Sequence, residues 1–407
     1  MSYPVKQRAD YTFKFNQNLG RHGWLRLTPA YGVKLVERLL GSVDQEGMIL
    51  DPFSGTATTG LVAAERGQKA FAFDINPFLV WLGNAKCQNY SEDCLKEIRQ
   101  QVQAGMSDYK TAINQDNWTP QIFNIERWWT ADTLQAIAAL RTILVHHFGE
   151  PDHNTSSLIW IAFSRLIIET SSAAFNHVSM SFANQANPWD STGILGLFNL
   201  ILETILQTAS HPIPGFAQIQ EIDSRQIAGL NDMKFRTIIT SPPYPNRMSY
   251  IRELRPYMYW TKFLKTAKEA GEIDWKAIGG TWGIATSRLL RWQMEETNLP
   301  ASVFSTVEQI NTSEGKNAEL MGLYVLKYFH DMHLHLASLQ SCLENQAKLY
   351  YVVGNSTFFG KSVDTAALLA ESLQMLGYQQ VHSEIIRKRN CNKALYEYCV
   401  SATWSSG

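Results

Sequence analysis

The sequence predicts an α/β fold with an open, mostly parallel sheet, interrupted by a helical insertion and by a loop-rich insertion. Two observations support this fold class. Short apolar runs typical of buried strands alternate with helical segments near both ends of the chain. Between them, residues 91–210 repeat their apolar positions only at helical spacing, so this stretch cannot belong to the sheet.

The first strands and helices form a βαβ unit. A helix over 28–41, opened by Thr28 and closed by Gly41, precedes the strand "GMILDPF". The turn and helix "SGTATTGLVAAERG" and a second strand, "KAFAFDINP", complete the unit within about 30 residues. Ligands of such sheets bind beyond the carboxyl ends of the strands.

The remaining elements follow in order. Four helices are predicted over 91–112, 123–148, 153–176 and 188–210. Strands resume in "GFAQIQEIDSRQI" and "KFRTIITSPPY", and a helix follows in which Pro256 predicts a kink or break. After a Gly-rich and polar segment come a helix over 321–344, the strand "AKLYYVVGN", a helix over 363–376 and two strands, the last closing the sheet as an antiparallel partner.

These elements divide the chain into five segments. The α/β domain is formed by residues 1–90, 216–265 and 321–407, with a helical insertion at 91–215 and the loop-rich insertion at 266–320. We regard 266–320 as the candidate for target recognition.

Composition excludes several classes of protein. The 407 residues have a net charge of −1, so any surface for nucleic acid must be a local patch. Five scattered cysteines without a CxxC pair indicate a reducing compartment and argue against a structural zinc site. The N-terminus lacks the apolar run of a signal peptide, and Arg165 and Glu169 interrupt the most apolar helix. We therefore expect a cytoplasmic protein that does not associate with membranes.

The stretch "DPFSGTATTG" is the first candidate site. Asp51 ends a strand, and Gly55 and Gly60 let the backbone approach a ligand, although a plain βα turn would look the same. The stretch lacks the Gly-Lys-Ser/Thr of a phosphate loop and a full GxGxxG. Asp74 ends the next strand, where a carboxylate can bind ribose hydroxyls. A nucleoside without phosphates therefore fits this site better than NAD.

The stretch "TSPPY" is the second candidate site. Its prolines fix φ and remove two N–H donors, and the residue before a proline is held extended. We expect Ser241 and the carbonyls beside Pro242 to accept hydrogens from an exocyclic amine, while Tyr244 stacks on the ring. The alternative is an ordinary Pro-rich turn between a strand and a helix.

Together the two stretches resemble those of the S-adenosylmethionine-dependent DNA amino-methyltransferases, which modify cytosine N4 or adenine N6. "DPFSGTATTG" is similar to their cofactor motif, and Ser241, Pro242, Pro243 and Tyr244 resemble their catalytic tetrapeptide. The segment "RHGWLRLTPAYGVKLVERLL" looks like the motif near the methionine end of the cofactor, and "EIDSRQI" places Asp223 near its adenine. The resemblance implies a Rossmann-like class I methyltransferase sheet, S-adenosyl-L-methionine as cofactor and no metal. The cofactor residues it implies are Thr28, Asp51, Phe53, Ser54, Gly55, Thr56, Asp74, Ile75 and Asp223.

Within that family, Ser241 favours cytosine, because the serine form of the tetrapeptide is associated mainly with N4 methylation. The resemblance thus implies a cytosine-N4 methyltransferase of double-stranded DNA, either solitary or beside a cognate restriction endonuclease. Three alternatives stay open: adenine-N6 methylation of DNA, guanine-N2 methylation of RNA, and a non-catalytic subunit that retains the fold.

The expected chemistry is direct displacement. The lone pair of an exocyclic amine is delocalised into the ring, and acceptors for its hydrogens free that lone pair to attack the sulfonium methyl. Positioning and oriented acceptors are the contributions that the protein can make. The base has to leave the duplex, and Tyr244 is the surface expected to receive it.

Basic residues after the tetrapeptide are candidates for DNA phosphate contacts. Arg247, Arg252 and Arg255 are the chosen residues, and an ordinary solvated helix face is the alternative. A second cluster, at Arg387, Lys388, Arg389 and Lys393, is the weaker candidate.

Two further patterns have structural interpretations. We interpret "HDMHLH", with His330, His333 and His335, as a partly exposed helix rather than a metal site. We interpret the pair Trp128 and Trp129 as helix packing rather than as a wedge between bases.

Overall fold

The structure, a computed structural model, describes residues 5–27, 30–43, 46–152, 156–174, 181–182, 188–227, 233–247, 249–280, 284–389 and 394–405. The strands are β1 Ile49–Asp51, β2 Lys69–Asp74, β3 Ala173–Ala174, β4 Ser181–Phe182, β5 Phe216–Glu221, β6 Phe235–Thr240, β7 Leu343–Gly354, β8 Ser356–Phe358, β9 Lys361–Val363, β10 Gln379–Lys388 and β11 Tyr396–Trp404. The helices are α1 Phe13–Asn16, α2 Val33–Leu40, α3 Thr58–Glu65, α4 Pro77–Cys87, α5 Glu92–Gly105, α6 Tyr109–Ala112, α7 Ala131–Phe148, α8 Ser157–Glu169, α9 Ser191–Ala209, α10 Tyr250–Trp260, α11 Ala267–Lys276, α12 Ile284–Leu289, α13 Ala301–Asn311, α14 Ala318–Leu339 and α15 Thr365–Met375.

Seven strands form one sheet in the order β10-β11-β7-β6-β1-β2-β5. The pairs β7–β6, β6–β1, β1–β2 and β2–β5 are parallel, whereas β11 is antiparallel to both of its neighbours. This arrangement confirms the predicted Rossmann-like class I methyltransferase sheet, including the antiparallel strand at its end. The chain leaves β1 toward β2 and β5 and returns at β6 on the other side. The boundary between β1 and β6 is therefore the point at which ligands of open α/β sheets bind.

Alternate residues of the central strands bury their side chains on opposite faces of the sheet. Leu50 and Ile238 pack in the same cluster as Leu336 of α14. Ile49 belongs to the cluster on the other face, with Leu35 of α2. Neighbouring side chains of a strand point to opposite faces, and parallel strands covered on both faces are apolar throughout. The apolar runs of the sequence therefore identify these strands correctly.

The helical insertion builds a third core together with α4 and α10. Helices form in all four predicted stretches with different bounds: the first is divided into α5 and α6, the second begins at Ala131 rather than at 123, and the third ends at Glu169, so that β3 follows within its predicted range. Trp128 and Trp129 precede that helix and are buried, and the Trp129 Nε1–H donates to the carbonyl of Ile167 across 3.1 Å. The packing interpretation of this tryptophan pair is therefore confirmed.

The segment predicted to be loop-rich, 266–320, contains the helices α11, α12 and α13. The side chain of Thr266 caps α11 by accepting from the N–H of Glu269, at 3.3 Å. Arg288 of α12 donates to Glu272 of α11 across 2.7 Å. Capping and pairing between helices thus outweigh the weak helix propensity of a polar, Gly-containing sequence.

Two other local predictions need correction. The helix α10 runs through Pro256 without the predicted break. The histidines of α14 are buried rather than partly exposed, and His335 has no exposed surface. Its Nδ1–H donates to the carbonyl of Ser224 at 3.0 Å, and its Nε2 accepts from the Tyr351 hydroxyl at 2.7 Å. Burial lowers the pKa of His335 to about 4, so the ring is neutral at physiological pH.

In the described part of the chain, no group of three or more His, Cys, Asp or Glu side chains could hold a metal ion. One described helix, α9, has the length and the hydropathy of a membrane span. Its apolar residues Ile194, Phe198 and Leu206 are fully buried against the rest of the helical insertion.

Candidate active site

A cavity of about 990 Å³, including its open mouth, lies at the carboxyl ends of β1, β2, β5 and β6. This is the boundary at which the strand order reverses. The structure brings most of the predicted site residues together here. Those that line the cavity are Phe53, Ser54, Gly55, Thr56, Asp74, Ile75, Asp223, Ser241 and Pro243. Thr28 lies outside the described residues, between Leu27 and Ala30, which both line the cavity.

The loop after β1 is fastened to β2 and presents its backbone to the cavity. The N–H of Ser54 donates to the carbonyl of Phe73 at 2.8 Å, and the N–H of Gly55 donates to Asp74 Oδ2 at 2.9 Å. Gly55 has φ +51°, and among the described residues no atom lies within 4 Å of the position of a Cβ there. A left-handed glycine thus leaves open space beside the loop, which a ligand can enter.

Asp74 is the carboxylate best placed to bind ribose hydroxyls. Its two oxygens accept from the N–H groups of Gly55 and Asn76, both at 2.9 Å. Each oxygen keeps a further lone pair for a hydroxyl donor. Burial raises the pKa of Asp74 to about 7, although these two hydrogen bonds lower it. The charge of this carboxylate therefore changes within the physiological pH range.

Asp51 does not line the cavity and lies behind the loop, fully buried. It accepts from the N–H of Phe53 at 3.0 Å and from the hydroxyls of Thr240 at 2.6 Å and Tyr31 at 3.1 Å. Because Thr240 directly precedes Ser241, this carboxylate joins the two candidate stretches of the sequence. The geometry gives Asp51 a supporting position instead of a contact with the ligand.

Asp223 lies at the cavity wall formed after β5. Arg225 holds it with Nε to Oδ1 at 2.9 Å and Nη2 to Oδ2 at 2.6 Å, and Arg225 also pairs with Asp331 at 3.3 Å. Burial raises the pKa of Asp223, but the pairing with Arg225 outweighs it and the net shift is downward. Asp223 is therefore a fixed, ionised acceptor.

Ser241 follows β6 directly and faces the cavity. Its hydroxyl donates to the carbonyl of Val352 at 3.1 Å, and its oxygen lies 3.4 Å from the Tyr244 oxygen. With its one proton directed to Val352, the hydroxyl oxygen can accept from another donor. Of the tetrapeptide, Ser241 and Pro243 reach the cavity wall, whereas Pro242 is buried away from it.

Tyr244 is half-buried and does not line the cavity, although its hydroxyl oxygen lies 3.4 Å from that of Ser241, which does. Its N–H donates to the hydroxyl of Tyr250 at 2.8 Å. The guanidinium carbon of Arg389 lies 5.2 Å from the ring centre, and a Cβ at Gly354 would approach that ring to 2.8 Å. The absence of a side chain at Gly354 therefore lets both groups pack against the end of β7.

Arg389 belongs to the second basic cluster, the weaker candidate for DNA contacts. Its guanidinium nevertheless packs over the ring of Tyr244, a residue of the candidate site. Among the first cluster, Arg247 is exposed and its N–H donates to Tyr324 at 3.1 Å. Arg252 and Arg255 are half-buried on α10, whose other faces pack into the helical core. Together with Tyr250 they are the positions of α10 that are not buried, so the DNA contact and the solvated face both stay predictions.

Sequence reasoning missed several residues of the cavity wall. Tyr250 of α10 and the pair Asp274 and Ile278, from the segment predicted to be loops, all line it. Asn76 lines it as well, and its side chain caps α4 by accepting from the N–H of Phe78 at 3.0 Å. Only Asn76 had a signal in the sequence, because Asn before Pro at the start of a helix is a typical cap.

Residues 33–188 match the model of the family described as D12 class N6 adenine-specific DNA methyltransferase. This match covers less than half of the 407-residue chain. The chain is also similar to Type II methyltransferase M.BsoBI of Geobacillus stearothermophilus, with 23% identity over 267 residues, 59% of this chain and 52% of the relative. The chain thus spans about half the length of this curated relative.

Among solved structures, an rRNA methyltransferase, aviRa from Streptomyces viridochromogenes, aligns over 93% of this chain and 87% of its own, at 10% identity and a TM-score of 0.30. A similarity at that level carries no argument. The two sequence comparisons support the predicted resemblance to DNA methyltransferases that use S-adenosylmethionine. Of the two, only the family model names a base, and it favours adenine N6, the predicted alternative, over cytosine N4.

Proposed function

We propose that the protein is a DNA methyltransferase that transfers a methyl group from S-adenosyl-L-methionine to the exocyclic amine of a base in double-stranded DNA. The observation that carries this proposal is the single cavity wall shared by Gly55, Asp74 and Ser241. A nucleoside-type cofactor and an amino group held by Ser241 would meet there. The match to a family of DNA methyltransferases supports DNA as the substrate.

Cofactor binding, the first part of the proposal, is supported by hydrogen-bond donors and acceptors that line the cavity. The backbone of the Ser54–Thr56 loop faces the cavity, and Asp74 offers carboxylate lone pairs for ribose hydroxyls. Asp223 stands farther along the wall, where it would accept from the adenine amine. When bound, S-adenosylmethionine supplies an electrophilic methyl group on a sulfonium.

The catalytic half rests on Ser241. Its oxygen has lone pairs free because its proton is directed to Val352. An amine that donates a hydrogen to this oxygen loses conjugation with its ring, and its lone pair becomes available for attack on the methyl carbon. Oriented acceptors of this kind act without reorganisation during the reaction. We assign Pro242 and Pro243 to holding the segment rigid, and Tyr244 to stacking on the base.

For the target base, adenine N6 is the first candidate because the matching family is described as N6 adenine-specific. Cytosine N4 is the second candidate, and one observation favours it. The match ends at residue 188, before the tetrapeptide, so it does not include the residues that would hold the amine. Ser241 at the first position of the tetrapeptide is the residue that the resemblance associates with cytosine.

The proposal includes DNA as the partner and a cytoplasmic location. Arg247 is the exposed cation next to the tetrapeptide, and Arg389 adds positive charge at Tyr244. The relative's name refers to a Type II methyltransferase, so a cognate restriction endonuclease is part of the proposal as well.

The test is an assay of labelled methyl transfer to three substrates: unmethylated double-stranded DNA, the same DNA as single strands, and ribosomal RNA. We expect incorporation into double-stranded DNA. Incorporation into RNA alone would show that the substrate class is different.

A further inference from the structure

A lysine is buried behind the candidate cofactor loop. Lys86, near the end of α4, is 1% exposed. Its ammonium donates to the carbonyl of Thr56 at 3.1 Å and reaches the carbonyl of His22 at 3.5 Å. Both partners are backbone carbonyls rather than carboxylates. Lysine is almost never fully buried unless it is paired with an acid, so this arrangement requires an explanation.

Burial disfavours the charged form of Lys86. Burial lowers its pKa to about 8, while Cys87 and Glu65 raise it. The unfolded chain keeps the proton up to its ordinary pKa of 10.5, so the free energy of unfolding decreases as the pH falls through this window. Arg21 adds a second cation nearby and donates to the carbonyl of Lys86 at 2.9 Å. The charged amine therefore weakens the fold below pH 8.

The two carbonyls that Lys86 contacts belong to two different segments, and only that of Thr56 belongs to a residue that lines the candidate cofactor cavity. Thr56 lies in the loop between Gly55 and α3 and lines the candidate cofactor cavity. It also lines a neighbouring, polar cavity, which it shares with His22 and Leu27 of the N-terminal segment. The ammonium therefore connects the loop to the segment that leads into the cofactor cavity at Leu27.

We propose that Lys86 is a positioning residue that fixes the loop 54–57 for cofactor binding, by holding the Thr56 carbonyl against the N-terminal segment. Three N–H groups of the loop are bonded: those of Ser54 and Gly55 donate to β2 at 2.8 and 2.9 Å, and that of Ala57 donates within the loop at 2.9 Å. None of these fixes the Thr56 carbonyl, which Lys86 does from behind. The inference rests on the proposed cofactor role of the cavity.

The experiment compares the full chain with Lys86→Met, which removes the charge and the hydrogen bonds but keeps the length of the side chain. The control is Lys69→Met, at an exposed position of β2. Three quantities are measured: the Tm, hydrogen–deuterium exchange of the peptide that contains residues 54–57, and the affinity for S-adenosylhomocysteine, which lacks the sulfonium charge.

We expect faster exchange in the loop, an affinity reduced about tenfold, and a Tm that is unchanged or higher, whereas the control changes none of these. Unchanged exchange and affinity would overturn the inference. A lower Tm with faster exchange throughout the chain would also overturn it, because the role would then be general packing. If the wild-type chain does not bind S-adenosylhomocysteine, the proposed function fails, and the exchange in the loop still decides whether Lys86 fixes it.

Discussion

The hydroxyl of Ser241 donates to the carbonyl of Val352, 3.1 Å away on the neighbouring strand β7. The same hydroxyl lies 3.4 Å from the Tyr244 oxygen, and when its proton is directed to Val352, the nearer acceptor, its oxygen can accept from a donor in the cavity. We therefore predict that Ser241→Ala lowers kcat for methyl transfer by about 100-fold or more. The affinity for S-adenosylhomocysteine should change less than about twofold, because the role proposed for Ser241 is to hold the amine and not the cofactor. Ser362→Ala, at an exposed hydroxyl of β9, is the matched control.

Asp74 should make cofactor binding dependent on pH. With its pKa raised to about 7, the carboxylate is half protonated at neutral pH, and only the ionised form leaves all its lone pairs to ribose hydroxyls. Calorimetric titration with S-adenosylhomocysteine should show affinity that rises from pH 6 and levels off above about pH 7, by up to about tenfold, or about 1.4 kcal/mol. Asp74→Asn should be weaker and independent of pH over this range, while Asp93→Asn, at an exposed residue, behaves as wild type.

The same shift predicts the sign of a stability effect. Between about pH 4 and 7, native Asp74 retains a proton that the unfolded chain has released. The native state therefore binds more protons, and the contribution of Asp74 to the free energy of unfolding decreases as the pH rises. Denaturant titrations should show that Asp74→Asn removes this component of the pH dependence. The same dependence in both proteins would contradict the raised pKa.

Gly354 should be required for the geometry of Tyr244. A Cβ there would lie 2.4 Å from Arg389 Nη1 and 2.8 Å from the Tyr244 ring, so Gly354→Ala has to displace one of them. We expect a lower kcat with an unchanged affinity for S-adenosylhomocysteine. Gly196→Ala, where a Cβ meets no atom within 4 Å, is the control. A variant at Gly354 with full activity would show that Tyr244 does not need its present position.

The exposed Arg247 and the half-buried Arg255 should have different effects on the salt dependence of DNA binding. Arg247 is exposed, so Arg247→Ala should weaken DNA binding and reduce the slope of log K against log salt by about one. Arg255 is half-buried and its Nε is enclosed, so Arg255→Ala should lower the Tm instead. Equal salt slopes for Arg247→Ala and the wild type would show that Arg247 does not contact DNA phosphates.

Much of the site follows from local sequence because its residues stand at strand ends. Asp74 and Ser241 each follow an apolar run, and the carboxyl ends of parallel strands meet at one edge of the sheet. Gly354 and Arg389 could not be assigned in this way. They reach Tyr244 only because the antiparallel strand β11 sets the register between β7 and β10, and local sequence does not specify that register.

The contacts of the buried charged residues could not be predicted from the sequence either. Lys86 lies in the mainly apolar helix α4. Its position in the sequence does not show that the carbonyl of Thr56, 30 residues earlier, accepts from its ammonium. The residues 266–320 appeared to be loops because Gly and polar residues dominate them. Their helix α13 buries Val303, Val307 and Ile310 against distant elements, a contribution that local sequence does not show.

The central claim is that an exocyclic amine of a DNA base receives the methyl group. The most direct measurement is mass spectrometry of the nucleosides from unmethylated double-stranded DNA incubated with the protein and S-adenosylmethionine carrying a deuterated methyl group. The account predicts labelled N6-methyldeoxyadenosine, with N4-methyldeoxycytidine as the second candidate product. Neither labelled nucleoside should be detected with Ser241→Ala. Label only at carbon 5 of cytosine, or no labelled nucleoside, would contradict it.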